Sequence, residues 1–229
     1  MKIEVWSDVV CPWCWIGKRR LERALERFDH RDDVEVVFRS FELDPHAPKR
    51  DGGKTTEHLS KKYGLGRAQL AAMLERVRGL GRAEELDMRL EETHTANTFD
   101  AHRLLQLARS KGRQRALADR LFRAHFTDCA SLNDHAALAR VAAEGGLDEA
   151  EAADVLASDR FADEVRADEA QARALGIQGV PFYAIEGAVG VSGAQPVEVL
   201  LDVLQKVWAK NPTPRAKDGE VCEDDRCGV

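Results

Sequence analysis

The sequence predicts an α/β fold in which a large, all-helical insertion separates a β-α-β half from a β-β-α half. The alternating stretch KIEVWS at residues 2–7 and the stretch VEVVFRSFEL at 34–43 have strand-like patterns. Residues 55–175 are rich in Ala, Leu, Glu and Arg with helical periodicity, and short strand-like segments return at 179–193. These observations predict one mixed, four-stranded sheet with a helical subdomain inserted in its middle.

A helix is predicted between the first two strands, from about Pro12 to Phe28, because its apolar residues recur at helical spacing and proline suits a first helical turn. The resulting β-α-β unit requires a parallel pair of strands. In the second half, the short turn at Glu186-Gly187 predicts an antiparallel pair. A final amphipathic helix ends near Trp208.

These elements divide the chain into three parts. Residues 1–54 and 170–209 are predicted to form the sheet-containing domain, and residues 55–169 the inserted helical subdomain. Residues 210–229 are polar and contain prolines, which predicts a mobile C-terminal tail. The tail carries a C-x-x-x-x-C pair, Cys222 and Cys227.

Composition narrows the classes of function. The chain has 229 residues, of which 44% are hydrophobic and 32% charged, as in an ordinary globular protein. A net charge of −6 argues against nucleic acid as the main partner. No apolar run approaches the roughly 20 residues of a membrane span, so we expect no membrane partner. The N-terminal stretch MKIEVWSDVVCP lacks the regions of a signal peptide, which predicts a cytoplasmic protein.

The stretch CPWC places Cys11 where the first strand ends and the helix begins. Unpaired backbone N–H groups and the positive end of the helix dipole meet there and stabilise a thiolate. Cys14 follows about one turn later, within disulfide range but less exposed. We therefore expect Cys11 to act as the nucleophile and Cys14 to resolve the mixed disulfide. Trp13 adds apolar surface for a bound peptide.

A second feature is Pro181, which precedes the last two strands in the stretch GVPFY. Proline at the start of a strand is tolerated at an edge or a bend, and cis X-Pro bonds favour such places. We expect a cis Val180–Pro181 bond. The order of elements is that of a thioredoxin-like fold, in which this loop faces the C-x-x-C turn. The backbone of Val180 would then pair with an extended substrate.

Five stretches carry a family resemblance: SDVVCPWCWIGKRRLE, FRSFELDP, NTFDAHRLLQLA, ALGIQGVPFYAIEG and VSGAQP. Through them the chain resembles the DsbA family of thiol–disulfide oxidoreductases, and within it the FrnE-like branch. The resemblance implies a thioredoxin fold with a helical insertion, Cys11 as nucleophile, Cys14 as its partner and a cis bond at Pro181. DsbA oxidases that act after export usually have Pro-His between their cysteines. Trp13 replaces that histidine, which argues against strongly oxidising behaviour.

The cysteines allow other interpretations. Cys11 and Cys14 could join Cys222 and Cys227 in a four-sulfur zinc site, although zinc pairs usually have polar or glycine spacers. We predict no metal and no cofactor. Cys129 is interpreted as a small, buried or half-buried side chain. The tail pair is either idle or a second dithiol, whose acidic surroundings favour passing electrons to an oxidised first pair.

The predicted function is a cytoplasmic thiol–disulfide oxidoreductase that oxidises, reduces or isomerises disulfides of proteins or small molecules. Kappa-class glutathione transferases and 2-hydroxychromene-2-carboxylate isomerases resemble the same architecture, but they use serine where Cys11 stands and do not need Cys14. A redox-sensing or chaperone-like binding module is the third alternative. In that module the cysteine pair would switch the affinity for a partner without turnover.

Overall fold

In the computed structural model, which describes residues 1–50 and 52–210, the chain forms a four-stranded mixed sheet and nine α-helices. The strands are β1 (Lys2–Ser7), β2 (Glu35–Ser40), β3 (Phe182–Ile185) and β4 (Val189–Ser192). The helices are α1 (Pro12–Glu26), α2 (Thr55–Tyr63), α3 (Arg67–Ala83), α4 (Phe99–Ser110), α5 (Gln114–Phe126), α6 (His135–Glu144), α7 (Glu149–Leu156), α8 (Ala162–Ala174) and α9 (Val197–Lys210).

The sheet has the strand order β2-β1-β3-β4. Strand β1 is parallel to β2 and antiparallel to β3, and β3 is antiparallel to β4. In this register, Val5 on β1 lies between Phe38 on β2 and Tyr183 on β3. The α/β fold class predicted from the sequence, with helices α2–α8 between β2 and β3, is therefore confirmed.

Two element ends differ from the sequence prediction. Helix α1 ends at Glu26 rather than near Phe28, because the N–H of Arg27 bonds to the carbonyl three residues back and tightens the last turn. Strand β2 ends at Ser40, although the apolar pattern continues. The N–H of Leu43 instead donates to the carboxylate of Asp8 at 2.8 Å, which draws the chain away from the sheet.

The main hydrophobic core joins the sheet, α1 and α9 to helices α4–α7. Ile3, Leu21, Leu104, Leu121 and Leu204 are among its buried members. Helix α8 extends beyond residue 169, where the sequence analysis placed a domain boundary. The division into a sheet domain and a helical subdomain stays a prediction. Among the described residues, no helix combines the length and hydropathy that a membrane-spanning segment needs.

A second core cluster joins the start of α1 to the inserted helices. It contains Cys11 and Cys14 together with Trp15 and apolar residues of α3 and α5. The Trp15 ring stacks on Phe122 and Phe126, with ring centroids 6.1 and 5.7 Å apart and interplanar angles of 5° and 15°. Stacked aromatic pairs contribute about 0.5–1.5 kcal/mol each beyond their buried area. The insertion thus fixes the position of the helix that carries both cysteines.

Candidate active site at the start of the first helix

Cys11 is the residue immediately before α1. Its backbone is extended (φ −93°, ψ 112°), and Pro12 is the first helical residue. The carbonyl oxygen of Cys11 accepts hydrogen bonds from the N–H groups of Cys14 (3.0 Å) and Trp15 (3.4 Å). The first turn contains no acidic residue. The Cys11 side chain thus lies at the N-terminal end of α1.

Cys14 lies one turn further along α1 and faces the interior. Cys11 is 4% exposed and Cys14 1% exposed. Burial raises the pKa of the Cys14 thiol well above its ordinary value, and the hydrogen bond and charge of Cys11 raise it further. Hydrogen bonds from the Asp8 backbone and the Ser7 side chain act in the opposite direction. Cys14 is therefore a protonated thiol at neutral pH.

The loop before β3 brings Val180 against Cys11. The Cys11 thiol donates to the Val180 carbonyl oxygen, with the sulfur and oxygen 3.7 Å apart. The Val180–Pro181 peptide bond is cis. The Pro181 carbonyl accepts a 2.8 Å hydrogen bond from Gly193, which ties this loop to the end of β4. The structure thus brings together four of the residues that the sequence analysis proposed, namely both cysteines, Val180 and Pro181.

A cleft of about 570 Å³ opens beside Cys11, between the start of α1 and helices α2 and α3. Small-molecule pockets are typically about 300–1,000 Å³. Trp13, which is 37% exposed, forms part of the wall together with Val180. Further apolar lining residues include Val10, Leu43, Leu59, Leu74, Val77 and Phe126. Charged or titratable lining residues include Asp8, Asp44, His58, Lys62, Arg76 and His125. Cys11 thus lies on the wall of this cleft.

Gly17 allows α1 to approach the loop that carries Val180. A Cβ atom at this position would overlap the hydroxyl oxygen of Tyr183 and lie 2.9 Å from Cγ of Pro181. Tyr183 is 1% exposed, and its hydroxyl has no hydrogen-bond partner among the described residues. Burial, followed by the charge of Cys14, raises the pKa of Tyr183. The contact between α1 and the Pro181 loop therefore has no room for one additional methyl group.

Three buried titratable side chains near the cysteines were not singled out from the sequence. Asp8 comes from the loop before α1, His102 from α4 and His125 from α5. They are 1%, 1% and 2% exposed. Asp8 and His102 lie in two of the stretches that carried the family resemblance, but periodicity gives no sign that the two side chains meet. The structure places His102 Nε2 3.5 Å from Asp8 Oδ1.

The buried His125 predicts a pH dependence of stability. Burial lowers the pKa of His125 to about 4, whereas an unfolded histidine titrates at about 6.5. Between these values the unfolded state binds a proton that the folded state excludes, so stability falls as the pH falls. We expect His125 to account for a loss of about 2 kcal/mol between about pH 6.5 and 4.5. Urea unfolding at several pH values should show a smaller acid loss for His125→Gln.

The matched control for this experiment is the exposed His46 in the loop after β2. His46→Gln should retain the acid dependence of the unmodified protein. If His125→Gln lost stability on acidification as steeply as the unmodified protein, the buried neutral state of His125 would be disproved.

The remaining cysteines divide into one that the structure describes and two that it does not. Cys129 is half-buried, as expected, and its sulfur lies 3.9 Å from the carbonyl oxygen of Arg89. Burial, followed by the charge of Glu92, raises its pKa. Cys222 and Cys227, on which both the zinc alternative and the second dithiol depend, lie outside the described residues. Within residues 1–50 and 52–210, no three His, Cys, Asp or Glu side chains form a group suited to a metal ion.

A mixed sheet of this order, with a C-x-x-C pair at the start of the first helix, defines the thioredoxin-like class of protein. Residues 2–205 match the DSBA-like thioredoxin domain family, and the chain belongs to that family. This confirms the family predicted from the sequence. Placement in the FrnE-like branch stays a prediction.

The chain is similar to the probable DsbA oxidoreductase SCO1869 of Streptomyces coelicolor, with 45% identity, a TM-score of 0.89 and coverage of 100% of this chain and 99% of that one. It is 29% identical over 147 residues to the uncharacterized protein YwbO of Bacillus subtilis, a match that covers 64% of this chain and 66% of YwbO.

Two further solved structures share the fold at low identity. The cytosolic disulfide reductase DsbM of Pseudomonas aeruginosa, solved with GSH, has a TM-score of 0.62 at 17% identity, and the match covers 91% of this chain and 100% of that one. A 2-hydroxychromene-2-carboxylate isomerase has a TM-score of 0.69 at 12% identity, with coverage of 93% and 98%. Because a reductase and an isomerase both have this fold, the residues of the site must decide the activity.

Proposed function

We propose that this protein catalyses thiol–disulfide exchange through Cys11 and Cys14, on thiols and disulfides of proteins or small molecules in the cytoplasm. The observation that carries the proposal is the position of Cys11 at the start of α1, on the wall of the cleft, with the Cys14 thiol buried one turn behind it. This placement separates an attacking sulfur from a resolving sulfur.

The exchange has two steps. In the first, the Cys11 thiolate attacks a substrate disulfide, whose S–S bond breaks, and the departing substrate sulfur takes up a proton. In the second, the Cys14 sulfur gives up its proton and attacks the Cys11 sulfur, which breaks the mixed disulfide and releases the other substrate sulfur. The substrate disulfide is reduced to two thiols and the cysteine pair is oxidised. A thiol donor then reduces the pair, and the reverse sequence oxidises a substrate dithiol.

Val180 and Trp13 are proposed to hold the substrate during these steps. The Val180 carbonyl oxygen lies 3.7 Å from the Cys11 sulfur, so an extended substrate that pairs with this backbone brings its own sulfur close to the nucleophile. Trp13 and the apolar wall of the cleft offer surface to the groups that flank the substrate disulfide. Binding energy at these contacts would orient the disulfide for attack.

The position of Cys14 favours thiol–disulfide exchange over the activity of a 2-hydroxychromene-2-carboxylate isomerase or a glutathione transferase. Those enzymes do not need a second thiol, whereas here the Cys14 thiol is buried in the same core cluster as Cys11. A binding module without turnover would use the same two thiols. Kinetic measurements, rather than the structure, distinguish such a binding module from an enzyme.

A turnover assay tests the proposal. The protein is mixed with an excess of a protein disulfide such as insulin, with a thiol donor present, and the disulfides reduced per protein molecule are counted over time. We expect many cycles per molecule, and a rate that depends on both cysteines. One cycle per molecule would indicate a redox sensor, and no cycle would reject the exchange function.

The tail pair is proposed as a second dithiol that reduces the oxidised Cys11–Cys14 pair. After oxidation of the active site, thiols are counted at both pairs over time by mass spectrometry of alkylated peptides. We expect the disulfide to move to Cys222–Cys227, because thiols flanked by acidic residues are the stronger nucleophiles. Persistence of the Cys11–Cys14 disulfide beside a reduced tail pair would show that the tail takes no part.

A further inference from the structure

The cleft beside Cys11 is a concave, mostly apolar space of limited size. Its volume of about 570 Å³ lies within the range of small-molecule pockets, about 300–1,000 Å³. Cys11 is only 4% exposed, so a disulfide must enter the cleft before it meets the Cys11 sulfur. These dimensions favour a small disulfide over one that is held within a folded protein.

Two cationic side chains lie on the wall that α2 and α3 contribute to this cleft. Lys62 belongs to the last turn of α2 and Arg76 to the middle of α3, and both are exposed. Among the described residues, Lys62 has only the Tyr63 ring nearby, with its Nζ atom 6.0 Å from the ring centroid. Glu75, the acidic neighbour of Arg76, is paired with two other arginines of α3. Neither cation therefore has an ion-pair partner within residues 1–50 and 52–210.

The acidic residues of the cleft lining are bound to other groups. Asp44 Oδ1 accepts a 3.1 Å hydrogen bond from the N–H of His46, and Asp44 Oδ2 lies 4.0 Å from Nε2 of His58. Asp8 is 1% exposed and accepts the 2.8 Å hydrogen bond from the N–H of Leu43. These carboxylates therefore do not pair with the two cations.

The cleft thus combines apolar walls with two unpaired positive charges, in a chain whose net charge is −6. A concave site with walls of low dielectric constant focuses the field of its charges and raises the local concentration of ions of opposite sign. An anion is consequently attracted to this cleft, although the net charge of the chain as a whole repels it.

We propose that the cleft selects small disulfides that carry carboxylates, and that Lys62 and Arg76 determine this specificity by binding the carboxylates. The Cys11 thiolate attacks the bound disulfide, whose S–S bond breaks, and one half leaves as a thiol after taking up a proton. Cys14 then loses its proton and displaces the second half. Two carboxylate-bearing thiols are released and the cysteine pair is oxidised. The inference rests on the proposed exchange function and names its substrate class.

Three small disulfides that differ in charge test this specificity. Dithiodipropionate carries two carboxylates, hydroxyethyl disulfide is neutral, and cystamine carries two ammonium groups. Each is mixed in excess with the reduced full-length protein, and the oxidation of Cys11 and Cys14 is followed by acid quenching, alkylation and peptide mass. The rates with dithiodipropionate and with cystamine are each divided by the rate with hydroxyethyl disulfide. Changes of these two ratios between protein variants cancel the intrinsic reactivity of the disulfides.

We expect the double substitution of Lys62→Gln and Arg76→Gln to lower the dithiodipropionate ratio by about 10-fold, as two exposed ion pairs would. Each single substitution should lower it by about 3-fold. The cystamine ratio should rise, because the two positive charges no longer repel the ammonium groups. In the unmodified protein, added salt should lower the dithiodipropionate ratio, because salt screens exposed charges.

The matched control is the double substitution of Lys61→Gln and Arg67→Gln. It removes the same charge from exposed positions of the same two helices, outside the cleft lining. Both ratios should remain those of the unmodified protein. The specificity would be overturned if substitution of Lys62 and Arg76 left the ratios unchanged, or if the control lowered the dithiodipropionate ratio equally. If none of the three disulfides oxidised the cysteine pair, the exchange function itself would be rejected, and the specificity with it.

Discussion

Cys11→Ser is expected to reduce disulfide exchange to the rate measured in buffer alone, whereas Cys14→Ser is expected to capture the substrate. The first effect follows because Cys11 is the sulfur that lies at the helix start and on the wall of the cleft. A serine hydroxyl in the same place forms no disulfide. The second effect follows because the mixed disulfide on Cys11 has no other described thiol in its core cluster to resolve it. Cys14→Ser is made in a chain whose Cys222 and Cys227 are replaced by serine, so that the tail pair cannot resolve the mixed disulfide either.

Non-reducing electrophoresis and intact mass measurement distinguish these results. Cys14→Ser should accumulate one covalent adduct per chain that a reductant releases, and Cys11→Ser should form none. Cys129→Ser is the matched control, because the Cys129 thiol belongs to neither the cleft lining nor the active-site cluster. It should turn over like the unmodified protein. Exchange that survives in Cys11→Ser would mean that another thiol is the nucleophile.

Gly17→Ala is expected to destabilise the protein by about 3 kcal/mol, the upper end of overpacking costs. The new Cβ would overlap the Tyr183 hydroxyl and press on Pro181. The same displacement would move Val180 away from Cys11, and small misplacements at a reacting centre lower rates by up to about 100-fold. A loss of stability would point to the steric overlap, since replacing glycine by alanine in an unhindered helix normally stabilises a protein by about 0.5–1 kcal/mol.

Two further variants test whether the steric overlap at Gly17 causes the loss of stability. Gly79→Ala on α3 meets no atom within 4 Å and should stabilise the protein. Tyr183→Phe removes a buried, unpartnered hydroxyl and should be neutral or stabilising by up to about 1 kcal/mol. Combined with Gly17→Ala, it should recover part of the loss, giving a coupling energy of about 0.5–3 kcal/mol by urea unfolding. Additive effects of the two substitutions would show that the overlap is not the source of the destabilisation.

Much of the fold could be predicted because its signals are local. Alternation in KIEVWS, helical spacing after Pro12 and the short turn at Glu186-Gly187 each act within one element, and the structure contains β1, α1 and the β3–β4 hairpin there. The end of β2 could not be predicted in this way. It is decided by the carboxylate of Asp8, a residue far away in sequence that binds the N–H of Leu43.

The candidate site also combines residues that a local pattern predicts with residues that meet only in the folded chain. The spacing of Cys11 and Cys14 marks the reacting pair, because both residues lie on one short segment. Asp8 and His102 lie far apart in the sequence, and only the packing of α4 against the sheet brings them together. The cleft likewise depends on how α2 and α3 lie over α1, which no periodicity within a helix specifies.

Cys11 and Cys14 are expected to form a reversible disulfide, and a redox titration tests this expectation. The protein is equilibrated in glutathione buffers of increasing oxidised fraction, quenched with acid and alkylated, and each cysteine is assigned by peptide mass. We expect a two-electron transition that joins Cys11 to Cys14, at a potential between about −270 and −120 mV, the range between thioredoxin and DsbA. Thiols that remain at both positions in every buffer, or Cys11 found only as a glutathione adduct, would show that the two cysteines do not form a reversible disulfide.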